Sequence, residues 1–198
     1  MSTNDSLQPL RAFIADIEQM LDQGGERIPE RSADRMRSLI ARDDWLPDSM
    51  AVPHAQFYQQ HLLHADARDR FSLVSFVWGP GQSTPIHNHT VWGVIGVLRG
   101  GEYSQRYTVE GGTPMPLGED ELLERGQVDI VSPTHGDVHR VRNAYDAAVS
   151  ISIHLYGGNI GRIHRSVFDP ESGAAKPFVS GYSRTLEGLY PQSPARPA

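Results

Sequence analysis

Apolar residues recur at helical spacing only near the start of the chain. Across residues 7–21, Leu7, Leu10, Phe13, Ile14, Ile17, Met20 and Leu21 follow a 3.6-residue period, and Gly24 and Gly25 end it. Residues 31–43 predict a second helix with Met36, Leu39 and Ile40 on one face. Trp45 and Leu46 follow, and Pro47 and Pro53 mark turns, so residues 1–50 read as helical. Short runs rich in Val, Ile, Leu and aromatics then take over. Strands are expected over 71–78, 91–98, 102–109, 128–131, 138–141 and 149–156, most of them bounded by Gly, Pro or Asp. Many short strands at such intervals predict an all-β sandwich or barrel. With no internal repeat or linker, 1–198 reads as one domain: helices to about 50, a barrel over about 56–182, and a loose Pro-rich tail over 183–198.

Composition narrows the chemistry. A net charge of -6 gives nucleic-acid binding no general electrostatic support, so an anionic ligand needs a local cationic pocket. There is no cysteine, which excludes disulfides, thiolate-held metals and a cysteine nucleophile. Any metal must be held by His, Asp or Glu. The polar start, MSTNDSLQPL, lacks the pattern of a signal peptide, and the apolar run 91–98 is too short to span a bilayer. The expectation is a cytoplasmic protein without membrane partners.

Three of the nine histidines carry the chemical argument. His87 and His89 stand in Gly81-Gln-Ser-Thr-Pro-Ile-His87-Asn-His89, and alternation along a strand points both the same way. His139 stands in Gly136-Asp-Val-His139-Arg-Val-Arg-Asn143, where a facing strand would add a third imidazole. The first segment, G-x5-H-x-H with Gly100 after it, resembles the first motif of the cupin superfamily. Gly126, Pro133, Gly136, His139 and Asn143 resemble the second, with one extra residue before the Pro and one after it. Gly93 or Val94 takes the place of the Glu usual in the first motif. Three neutral imidazoles leave a divalent ion its full charge and open positions for an anionic ligand and oxygen. Imidazole alone does not choose among iron, zinc, copper and nickel.

A more specific resemblance covers about residues 58–169. Tyr58-Gln59-Gln60, Trp78-Gly79-Pro80-Gly81, His139-Arg140-Val141-Arg142-Asn143 and Ser152-Ile-His154-Leu-Tyr156 are similar, in order, to pieces of thiol dioxygenases, the cysteine dioxygenase type of cupin. The resemblance implies a cupin jelly-roll β-barrel. It implies Fe(2+) held by His87, His89 and His139, and a small thiol oxidised by O2 to its sulfinate. Ser152, His154 and Tyr156, which alternation puts on one strand face, would orient the Tyr hydroxyl. Two departures bear on the substrate. Gly93 stands where the animal enzymes carry the cysteine cross-linked to the Tyr, so Tyr156 has no such link. Gln60 stands where they carry an Arg that grips the substrate carboxylate. Bacterial relatives with Gln here resemble 3-mercaptopropionate dioxygenases, in which an Arg from the loop after the Tyr strand is implicated. That loop contains Arg162 and Arg165, and position counting puts Arg165 first. Gly157, Gly158 and Gly161 would permit tight turns near a ligand. Trp78 and Trp92 are expected to pack near the site.

The reading is therefore a non-haem iron dioxygenase of 3-mercaptopropionate, with L-cysteine as the alternative substrate. Two other classes stay open. One is a different enzyme on the same histidines, such as a zinc hydrolase or an iron enzyme cleaving a carbon–carbon bond. The other is a non-enzymatic cupin that binds metal or a small ligand. The oligomeric state is not legible.

Overall fold

A computed structural model of the chain describes residues 6–109, 112–134 and 136–189. Helices α1 (Gln8–Gln23) and α2 (Ile28–Ile40) come first, followed by a 3-10 turn, Asp48–Met50. α2 runs earlier than the expected 31–43 at both ends. Pro29 sits in its first turn, where a missing N–H costs nothing, and Arg27 (φ 60°) swings the chain into it.

The strands are β1 (Gln59–Ala65), β2 (Ser72–Trp78), β3 (Ile86–His87), β4 (Gly93–Arg99), β5 (Gly101–Thr108), β6 (Met115–Glu124), β7 (Val128–Val131), β8 (His139–Asn143), β9 (Ser150–Tyr156), β10 (Arg165–Phe168), β11 (Ala175–Phe178) and β12 (Arg184–Thr185). They form two six-stranded sheets, ordered β12-β1-β2-β9-β4-β7 and β11-β10-β3-β8-β5-β6. This is the jelly-roll barrel of a cupin. Each of the six expected strands has a counterpart in β2, β4, β5, β7, β8 or β9; the chain also forms strands that the pattern did not mark, the longest of them β6. Its residues are exposed apart from Leu123 and show no alternation, because it is the outer strand of a hairpin held only by β5.

Strand β9 shows why the helices are there. All seven of its residues are buried. Ile151, Ile153 and Leu155 face outward into one apolar cluster with α1, α2, Leu73 and Val77. Tyr156 belongs to a second cluster inside the barrel, with Val74, Phe76, Trp78 and Val141. Each outward Ile or Leu contributes about 1.5–3 kcal/mol only if something covers it. The helices supply the cover, approaching so closely that a Cβ on Gly96 would lie 2.7 Å from Met36 Cγ.

The stretch expected to be loose is partly ordered. β12 pairs in parallel with β1, and Leu189 is buried in the helix-side cluster, where its carbonyl accepts the Arg11 Nε–H. Residues 190–198 lie outside the described residues. Among the described residues, no helix is long and apolar enough to cross a membrane.

Candidate metal centre and relay

His87 ends β3 and pairs with His139 at the start of β8, which sets two imidazoles side by side. His89 lies past the end of β3, so strand alternation does not aim it. Asp137 does. Its carboxylate accepts the backbone N–H of His89 at 3.0 Å and of Thr90 at 2.9 Å. The His89 Nδ1–H meets both the Asp137 carbonyl and Oδ1 at 3.2 Å. Thr90, at φ 61°, completes the turn. The potential ligand atoms of His87, His89 and His139 lie within 4.8 Å of one another, and all three residues are buried.

Proton placement shows that this cluster fits a cation. His87 Nδ1 faces the Pro85 carbonyl at 3.0 Å, and His139 Nδ1 faces Ser104 Oγ at 3.1 Å. A carbonyl only accepts, so His87 and His89 carry their protons on Nδ1 and turn the Nε2 lone pair to the common centre. His89 Nε2 is buried without a partner. Burial, reinforced by His89, pushes the His87 imidazole down to about 3, and burial pushes His139 well down too. Neutral imidazoles with outer partners on Nδ1 are the donors a divalent transition metal takes. Asp137 is held below the usual carboxylate range: burial opposes this, but hydrogen bonds from His89 and Thr90 prevail. Asp137→Asn should weaken metal binding about 10–100-fold with the fold intact, read by titration against a competing chelator. Unchanged affinity would reduce Asp137 to a turn-former.

Behind the centre, Ser152 Oγ lies 2.8 Å from His154 Nε2, and His154 Nδ1 lies 2.9 Å from the Tyr156 hydroxyl. Trp78 donates its indole N–H to Ser152 Oγ at 3.1 Å. Burial raises the Tyr156 phenol well above its ordinary pKa, so it stays protonated, and it stacks on His89 with ring centroids 5.6 Å apart. Gly93 pairs with Tyr156 across the sheet, and a Cβ there would touch its ring at 3.1 Å.

A cavity of ≈ 230 Å³ opens over these groups, lined by His87, His139, His154, Tyr156, Gln60, Arg165 and the apolar Tyr58, Phe76 and Phe178 among others. Arg165 is only 5% exposed. Its Nη2 donates to Ser180 Oγ at 2.8 Å, its guanidinium lies 4.5 Å over the Phe178 ring, and its Nε has no partner. Arg162 points elsewhere: its side chain is 76% exposed and pairs with Asp69 at 3.5 Å. Nor do the loop glycines serve as left-handed turns, for Gly157, Gly158 and Gly161 all lack positive φ. They let side chains close in, since a Cβ would meet Trp92 at 2.2 Å, Ile163 at 2.7 Å and Tyr182 at 2.4 Å respectively. Trp78 is at the site, whereas Trp92 packs on the helix side.

Asp137, Ser104 and Ser180 were not singled out from sequence. Asp137 stands two residues before His139, and Ser104 faces inward from β5, so motif position and alternation respectively were the available signals. Asn143 proves to be a structural hub, donating to the carbonyls of Trp78, Gly79 and Ala148 and accepting from Ser150.

A family model described as cysteine dioxygenase type I matches residues 50–169. Similar solved structures include an uncharacterized conserved protein with a double-stranded β-helix domain from Klebsiella pneumoniae (19% identity, 57% of this chain, 87% of that one, TM-score 0.46). Another is an RmlC-like cupin protein from Desulfovibrio desulfuricans (22% identity, 54% of this chain, 89% of that one, TM-score 0.39).

Proposed function

The chain belongs to the cysteine dioxygenase type I family, and on that premise we propose that it is an Fe(2+)-dependent dioxygenase converting a small thiol carboxylate, 3-mercaptopropionate ahead of L-cysteine, to its sulfinate. The observation that carries the substrate class is Arg165, a buried guanidinium with an unpartnered Nε in the wall of the histidine cavity. A carboxylate is the group that satisfies such a fork. The same wall favours a substrate without an amino group. Among the described residues no Asp or Glu lines it, so no carboxylate there meets an ammonium.

His87, His89 and His139 would hold the iron. When bound, iron supplies a Lewis acid for the thiol and the one-electron chemistry that dioxygen requires. The protein's own groups do the rest. Arg165 and Gln60 hold the carboxylate end and so fix the direction in which the sulfur points. Tyr156, tied to His154 and Ser152, presents a neutral hydroxyl to the reacting end. Phe76, Phe178 and Tyr58 limit the water around it.

The test is oxygen uptake by the purified protein after anaerobic iron loading, with 3-mercaptopropionate, L-cysteine and cysteamine compared. Turnover should be fastest with 3-mercaptopropionate and least with cysteamine, which has no carboxylate. Activity with zinc and none with iron would overturn the dioxygenase reading. Gln60→Arg should shift the ratio of kcat/KM values towards L-cysteine, and an unmoved ratio would remove Gln60 from substrate contact.

A further inference from the structure

Strand β5 sends Glu102 and Ser104 into the barrel, both buried. Ser104 meets the ligand histidine His139, as described. Glu102 has no assigned task, although neither of its buried carboxyl oxygens has a hydrogen-bond partner in good geometry. The polar groups that still act on it are the Ser152 hydroxyl and the Trp78 indole, the same pair that ends the Ser152–His154–Tyr156 chain. Other ionisable groups facing this region are Asp129 of β7 and Tyr156. Asp129 is itself held by Arg106 Nη2, at 2.8 Å to both oxygens.

Counting donors shows what Ser152 needs. A hydroxyl has one proton to give and two lone pairs. Trp78 takes one lone pair. If His154 Nε2–H takes the other, the Ser152 proton requires an acceptor, and His154 Nδ1 is then free to accept from Tyr156. Every bond now runs from the cavity inward, and an ionised Glu102 terminates the run. If Glu102 is protonated instead, it donates to Ser152, Ser152 donates to His154, and His154 Nδ1–H donates to the Tyr156 oxygen. Tyr156 then offers its own proton to the cavity.

We propose that Glu102 is the proton terminus of this relay, a positioning residue whose charge state sets whether the Tyr156 hydroxyl donates into the cavity or back towards Ser152. The inference rests on the reading above only in that Tyr156 meets the substrate. Burial pushes the Glu102 carboxyl up to about 7, so both states are accessible near neutral pH.

Infrared spectra of the full-length, metal-free protein provide a test that needs no turnover. A buried protonated-carboxyl band should vanish as pH rises through about 7, be missing in Glu102→Gln, and persist in an Asp129→Asn control. Linkage gives a second readout. Ionising Glu102 is harder in the folded chain, so wild-type stability falls from about pH 4.5 to about 7 relative to Glu102→Gln, and the gap in Tm widens over that range. In the iron-loaded protein, kcat should lose its pH dependence near neutrality in Glu102→Gln while KM barely moves. A carboxyl that stays ionised throughout in the wild type, or a variant that keeps the wild-type pH profile, overturns the proposal, and the wild-type spectra decide even if the variant fails to fold. A titrating band in protein inert towards every thiol supports Glu102 and counts against the proposed function.

Discussion

His139→Ala should lose bound iron and thiol oxidation together, by about 1000-fold or more, since even an outer partner of a ligand is worth about 10–100-fold. The residue sits at the start of β8, opposite His87, buried, with its imidazole held neutral by burial. Two histidines would remain, and His89 and His87 alone cannot close three positions around an ion. Iron content after anaerobic loading and gel filtration gives the first readout, and oxygen uptake the second. Removing a buried imidazole also deletes the Ser104 contact, so a melting curve must accompany both. Iron retained at wild-type level, with turnover reduced less than tenfold, would take His139 out of the ligand set.

Arg165→Ala should be the next most damaging change. Truncating one partner of a buried, hydrogen-bonded charge pair costs about 2–5 kcal/mol, which predicts a drop of roughly 30- to several-thousand-fold in kcat/KM for the thiol carboxylate. Burial lowers the Arg165 pKa, opposed by Tyr156, Tyr58 and other neighbours, so the group is desolvated and ready to pair with an anion. Arg165→Lys should recover little, because an ammonium lacks the planar fork. The diagnostic comparison is a thiol of the same length without a carboxylate. Its already slow turnover should not fall further in Arg165→Ala, whereas an equal loss with both thiols would mean that Arg165 supports the cavity rather than the ligand.

What the sequence made legible follows from which interactions are local. The helical period of residues 7–21 and the alternation of Ser152, His154 and Tyr156 are written in single segments, and the structure reproduces both. His87 and His89 were found for a partly mistaken reason: the strand that should have aligned them ends at His87, and Asp137, distant in sequence, does the aligning. Counting ranked Arg165 ahead of Arg162 but could not show where either side chain points, because that depends on the pairing of β10 with β3. β6 left no trace because an exposed hairpin strand has no buried face to pattern. Glu102 was invisible for the opposite reason. A single acid amid polar residues looks like surface until two sheets close over it.

Residues 180–183 brace the carboxylate end of the cavity. Ser183 exchanges hydrogen bonds with the backbone of Gln60, Ser180 holds Arg165, and Tyr182 accepts from the Gly161 N–H and donates to Asn159. All three lie beyond residue 169, where the family match ends. The histidines and the relay thus belong to the shared barrel, while the two side chains proposed to choose the substrate are braced by a strap outside it. Such a division of labour lets selectivity drift through changes in a short terminal segment while the oxidising machinery stays untouched.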